Sequence, residues 1–280
     1  KVPGCIHTDL IRAARIDHPF TGTNEVDCQW VGEKAWIYET LPFSVPTDIF
    51  SKSHVSLRFN GLDTYAKVEL NGTEVLTSDN AHRFWDVDVK SLLKSEGNVM
   101  RIVFESAVDR SKEALKVLPY PLPGDSVRAV VRKPQFHFGW DWGPRLVTCG
   151  ITKPIEWIAF DEAHVADVYF EQSQISEQQA LLNFHASITS AVADTLEVRV
   201  TGRTSGGTWS ESFAALSGAN EVSFPIRIQS PQLWWCNGQG RSNLYVFDIE
   251  LVRNNHVLSR TTKRVGLRDM RLITQPDSIG

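Results

Sequence analysis

The stretch "FGWDWGPR", Phe138 to Arg145, sets Asp141 between Trp140 and Trp142 and brackets the trio with Gly139 and Gly143. A carboxylate beside indole rings suits one kind of chemistry well. The acid accepts hydrogen bonds from the hydroxyls of a sugar while a ring covers the sugar's C–H face. The same residues also fit a plainer arrangement. As one regular strand, "QFHFGWDWG" places Phe136, Phe138, Trp140 and Trp142 on one face and His137, Gly139 and Asp141 on the other. That is an aromatic core with an acid turned to solvent. The two glycines argue for a bend or bulge, which can re-aim a side chain.

Other chemistry finds little support. The cysteines Cys5, Cys28, Cys149 and Cys236 lie far apart and fit neither a metal nor a redox spacing, so free thiols are expected. The histidines show no paired ligand spacing, and neither a metal site nor a cofactor is expected. Glu25, in "TNE", is the type of residue that serves as a catalytic acid, but a structural loop role is the expectation. Nine tryptophans in 280 residues is an excess that leans toward carbohydrate, because each buried indole N–H needs a partner while an exposed ring offers a sugar platform. A net charge of −4 with both signs interspersed excludes the basic surface that nucleic acid requires. No apolar run reaches the ~18 residues of a membrane span. The opening "KVPGCIHTDL" has no apolar leader segment and reads as the interior of a longer protein.

The elements that must position these residues are mostly strands. "HVSLRF", "TYAKVEL" and "NVMRIVF" alternate with period two, and Asn71-Gly72 between "TYAKVEL" and "TEVL" predicts a two-residue hairpin turn. Asn71-Gly72-Thr73 is also a glycosylation sequon, but turn geometry is the reason for these residues. Short helices are expected in "HTDLIRAARI", with Thr8 as its cap, and near 109–118. The Pro/Gly stretch 120–126 reads as a loop. From about 165 a second series follows, in "LLNFHASI", "LEVRVTGR", "EVSFPIRI" and "LYVFDIELV", which suggests an antiparallel sandwich of about 100 residues.

Taken together, "KVPGCIHTDL", "HPFTGTNE", "WIYETLPFSV", "FNGLDTYAKVELNG", "RKPQFHFGWDWGPR" and "GITKP" resemble the N-terminal region of family 2 glycoside hydrolases, with the β-mannosidases most similar. The resemblance runs from Lys1 to about Arg271. It implies an all-β chain: a jelly-roll, galactose-binding-like sandwich over 1–163, an immunoglobulin-like sandwich over 164–272, and a linker from 273 to 280. It also implies a following catalytic (β/α)8 barrel that is absent from this chain and carries both catalytic glutamates. The implied reaction is retaining removal of terminal β-mannose, so no catalytic residue is expected here. In similar enzymes the Trp-Asp pair reaches into the barrel's pocket. That gives Trp140 as ring wall, Asp141 as hydroxyl acceptor and Trp142 as supporting core with a weaker claim to the substrate. The implied partners are a mannoside or oligosaccharide substrate and the barrel. The implied compartment is periplasmic or extracellular in bacteria and lysosomal in animals. A stand-alone carbohydrate-binding module, or a β-galactosidase, β-glucuronidase or exo-β-glucosaminidase, is the alternative. Trp234 and Trp235 could be read as a sugar site, but the similar family stretch shapes a loop and packs domains.

Overall fold

Alternating apolar residues in period two cannot form a helix with one dry face, and in the computed structural model they form strands. Residues 1–122 and 126–276 are described. The chain divides into two compact units, Lys1–Ala159 and Phe160–Gly280.

In the first unit, strands Trp36–Glu39, Met100–Phe104, Ala66–Leu70 and Thr73–Ser78 lie side by side in one antiparallel sheet. A second sheet sets His54–Phe59 between Ile155–Phe160 and Trp85–Asp88. The inward residues meet in one core around Val55, Leu57, Phe59, Val68, Leu70, Ile102 and Phe104. Full burial of each such side chain contributes roughly 1.5–3 kcal/mol, which is why the alternation dictates register. Asn71 and Gly72 take φ values of 53° and 84° and close the predicted hairpin. The Asn71 side chain donates to Leu92 O and Asn98 Oδ1 and accepts from the Val99 amide.

The helices differ in detail from expectation. Ile6–Arg12 is helical, but its N-cap is Cys5 and not Thr8, whose hydroxyl bonds Cys5 O from inside the first turn. The helix expected near 109–118 runs over Ala107–Leu115 and is capped by Ser106, whose Oγ accepts from the Asp109 amide. Of the predicted 120–126 loop, Pro123 to Asp125 lie outside the described residues.

The second unit is a sandwich of three and four strands. One sheet sets Gln179–Ser190 between Ala163–Ile175 and Gly218–Gln229. The other runs Thr208–Ala215, Asp194–Gly202, Tyr245–Arg253, His256–Val265. Strand Gln179–Ser190 alternates without a break, burying Ala180, Leu182, Phe184, Ala186 and Ile188. These share a core with Leu196, Val198, Val200, Phe247, Ile249 and Leu251 of the other sheet. The architecture is all-β, a jelly-roll sandwich followed by an immunoglobulin-like one. Among the described residues there is no (β/α)8 barrel. Among the described residues no helix is long and apolar enough to cross a membrane.

Candidate functional site

The Trp-Asp-Trp segment is a hairpin, not one strand. Phe138–Trp140 and Gly143–Arg145 pair antiparallel, with Phe138 opposite Arg145 and Trp140 opposite Gly143. Asp141 and Trp142 are therefore the two turn residues at the tip. Gln135–His137, expected as strand, forms a turn of 3-10 helix that delivers the chain to the hairpin. Gly139 lies at φ 95°, where an L side chain is strained, and a Cβ there would meet the Arg145 Cβ at 3.4 Å. The glycine thus kinks the first strand and lets the two arms close.

This geometry overturns the aromatic-core arrangement. Of the four rings assigned to one buried face, only Phe138 is buried, at 4% exposure, while Phe136, Trp140 and Trp142 are 63%, 54% and 85% exposed. The reasons are the 3-10 turn at Gln135–His137, the kink at Gly139 and the reversal after Trp140, each of which breaks the two-residue alternation. Trp142 is not supporting core. Phe138 anchors the incoming arm of the hairpin, in a small cluster with Ala107, Val108, Val127, Val131 and Val147. Asp141 is exposed at the tip.

The exposed rings border a groove of about 340 Å³ lined by Pro19, Phe20, Gly22, Glu25, Trp140, Asp141, Trp142, Gly143 and Pro144. A second hollow of about 290 Å³ shares Phe20, Trp140 and Trp142 and adds Phe136, His137 and Leu146. Two carboxylates, three aromatic rings and a prolyl wall thus line one open groove. Such a surface can hold a polyhydroxylated ring by its hydroxyls and its C–H face. Pattern reading missed Phe20 and Gly22, and set Glu25 aside. Over 100 residues separate them from the hairpin, and no local period signals that approach.

Arg145 is held from the groove side of the chain. Its amide donates to Glu25 Oε1 at 2.6 Å, its Nη1 donates to Gln29 Oε1 at 2.7 Å, and its carbonyl accepts from Gln29 Nε2 at 2.7 Å.

Behind the hairpin lies a second feature that pattern reading missed. Lys133, two residues before the 3-10 turn, is fully buried, and its Nζ donates to both oxygens of Asp63 and, at 2.6 Å, to Thr148 O. Burial lowers the pKa of the ammonium, and the Asp63 carboxylate opposes that shift. His7 and His137 stand near this pair, and burial, reinforced by Lys133, lowers each to about 4. Burial pushes the Cys149 thiol up to about 12. All four cysteines are free. No group of three metal-binding side chains occurs among the described residues.

In the second unit, each indole of the Trp234-Trp235 pair covers a glycine: a Cβ at Gly266 would meet Trp234 at 2.9 Å, and one at Gly240 would meet Trp235 at 2.8 Å. The Arg268 guanidinium lies 5.8 Å from one ring centre and 5.2 Å from the other.

Residues 1–153 match the family model described as glycosyl hydrolase 2 galactose-binding domain-like, and residues 163–268 match that of glycosyl hydrolases family 2. The chain belongs to glycosyl hydrolase family 2. Over its whole length this family 2 chain is 34% identical to β-mannosidase B of Emericella nidulans and 35% identical to β-mannosidase B of Aspergillus fumigatus. It spans about a third of the length of these curated relatives, 34% and 33%. A crystal structure of β-D-mannosidase from Dictyoglomus thermophilum superposes with a TM-score of 0.91 at 33% identity, covering all of this chain and 35% of that one. An exo-chitosanase from Amycolatopsis orientalis shares the fold, with a TM-score of 0.70 at 20% identity over 95% of this chain and 29% of its own.

Proposed function

We propose that this chain is the N-terminal, non-catalytic portion of a retaining exo-β-mannosidase and that its Trp-Asp-Trp hairpin completes the mannose subsite of a separate catalytic barrel. The observation that carries this reading is the exposed tip. Asp141 and the ring of Trp140 stand out from the sandwich, on a fixed hairpin, where a neighbouring domain can reach them. Asp141 accepts hydrogen bonds from sugar hydroxyls, Trp140 covers the C–H face, and Trp142 adds apolar wall at the rim. The similarity to named β-mannosidases over the whole chain supports mannose over galactose, glucuronic acid or glucosamine. Packing of this chain on the barrel belongs to the same proposal.

The two carboxylates of a retaining glycosidase sit about 5–5.5 Å apart across the scissile bond. Neither Asp141 at a hairpin tip nor Glu25, whose Oε1 is taken by the Arg145 amide, is offered as half of such a pair. In this reading the full-length protein hydrolyses a chromogenic β-mannoside and this chain alone does not. The isolated chain binds mannose at most weakly, because one acid and one ring must offset the cost of immobilising the sugar while water competes for every hydroxyl. Turnover by the purified chain would overturn the division of labour. Micromolar mannose binding by it would favour a stand-alone binding module.

A further inference from the structure

The tip of the hairpin carries the sugar-facing groups, but the hairpin is only three residues per arm, and two-stranded ribbons of this size have little stability of their own. Something must hold it. Phe138 anchors the incoming arm in the core. The outgoing arm ends at Arg145, and there the holding groups come from residues 25–29.

The network is closed. Glu25 Oε1 accepts the Arg145 amide, Gln29 Nε2 donates to both Arg145 O and Glu25 O, and Arg145 Nη1 returns a bond to Gln29 Oε1. Both backbone groups of Arg145 and its guanidinium are thereby tied to two side chains more than 115 positions away. The segment that supplies them is itself fixed. Gly32 lies so close to the segment after the hairpin that a Cβ would meet Val147 O at 2.8 Å. Its carbonyl accepts from Ser106 Oγ, and Val31 O accepts from Trp36 Nε1. Glu25 also lines the same groove as Asp141.

We infer that Glu25 is a positioning residue of the sugar subsite: its carboxylate, with Gln29, locks Arg145 and so sets where Trp140 and Asp141 stand. This rests on the mannose-subsite reading above. Glu25 acts through the hairpin and is spent on an amide, so it does not serve as acid or nucleophile. A charge-assisted bond to a backbone N–H is among the stronger ones available to a carboxylate. Small misplacement of a binding group is costly, since about 1 Å can cost on the order of 100-fold in rate.

The test uses the full-length protein with two readouts. Amide hydrogen exchange across 138–145 reports the lock directly. Glu25→Ala should speed exchange of the Arg145 amide by roughly 10-fold or more, while Glu25→Gln, which keeps an acceptor oxygen in place, restores most of the protection. Hydrolysis of a β-mannoside reports its consequence. Glu25→Ala should lower kcat/KM by about 10- to 100-fold, with most of that recovered by Glu25→Gln. On an Asp141→Asn background, Glu25→Ala should cost less than it does alone, because part of its effect runs through the placement of Asp141. Unchanged exchange in Glu25→Ala overturns the inference, and so does a fully additive loss in the double variant. If Asp141→Asn leaves kcat/KM untouched, the mannose-subsite reading fails instead, and the exchange data alone decide whether Glu25 holds the hairpin.

Discussion

Lys133 places its ammonium against both carboxylate oxygens of Asp63, 70 positions away, with the Lys133 side chain at 0% and that of Asp63 at 2% exposure. The pair ties the segment entering the hairpin to the short strand Leu62–Asp63. Thr148 O accepts a further hydrogen bond from the ammonium, and Thr64 Oγ1 donates to Asp63. Removing one member leaves an unpaired charge in a dry site. Lys133→Met should therefore destabilise the first unit by about 3–5 kcal/mol. Replacing both, as Asp63→Leu with Lys133→Met, should cost less than the single change, because no charge is stranded. Chemical denaturation of the two variants beside the unaltered protein checks the order.

Acid should weaken this unit in a defined window. His7 and His137 are held at about 4, below the ordinary 6.5, by burial first and by Lys133 second. Between those values the unfolded chain binds protons that the folded chain refuses, so unfolding free energy falls as pH falls from 6.5 to about 4. Each histidine contributes up to about 3 kcal/mol to that decline. Thermal midpoints should drop as pH is lowered through this range. The drop should shrink in a His7→Gln, His137→Gln double variant.

The exposed tip separates binding from stability. If Asp141 binds a sugar hydroxyl as proposed, Asp141→Asn in the full-length protein should reduce kcat/KM by roughly 10- to 1000-fold, since a charge-assisted hydrogen bond would be lost while the shape is kept. Trp140→Ala should also impair hydrolysis. With more than half of its surface in solvent, Trp140 should cost the fold about 1 kcal/mol or less, well short of the several kcal/mol of a buried ring. Trp142→Ala should leave the melting temperature unchanged within error. A large stability loss in either tryptophan variant would return the rings to the core.

The Asn71 side chain has no amide hydrogen to spare. It donates to Leu92 O and Asn98 Oδ1, and its backbone sits at φ 53°. Asn71→Ala should cost about 2–4 kcal/mol, from lost hydrogen bonds and the left-handed backbone. A glycan on that nitrogen would compete with the same bonds. Protein made in a glycosylating host should carry none at Asn71, as intact-mass measurement would show.

The sandwiches were legible from sequence because period-two alternation is a local consequence of burying one face of a pleated sheet. Leu182, Phe184, Ala186 and Ile188 announce their strand without help from the rest of the chain, and Asn71-Gly72 announces its turn because few other residues accept those φ angles. Residue types at 138–145 likewise pointed to sugar chemistry. Where those residues stand was decided elsewhere. Alternating aromatics in "QFHFGWDWG" satisfy a strand pattern as well as any core strand, and only the kink at Gly139, the pairing of Trp140 with Gly143 and the anchor at Phe138 turn them outward. The groove needs Phe20 and Glu25, and the buried pair needs Asp63 and Lys133. Those partnerships span 70 to 120 positions, a distance over which periodicity carries no signal, so closure of the fold alone brings them together.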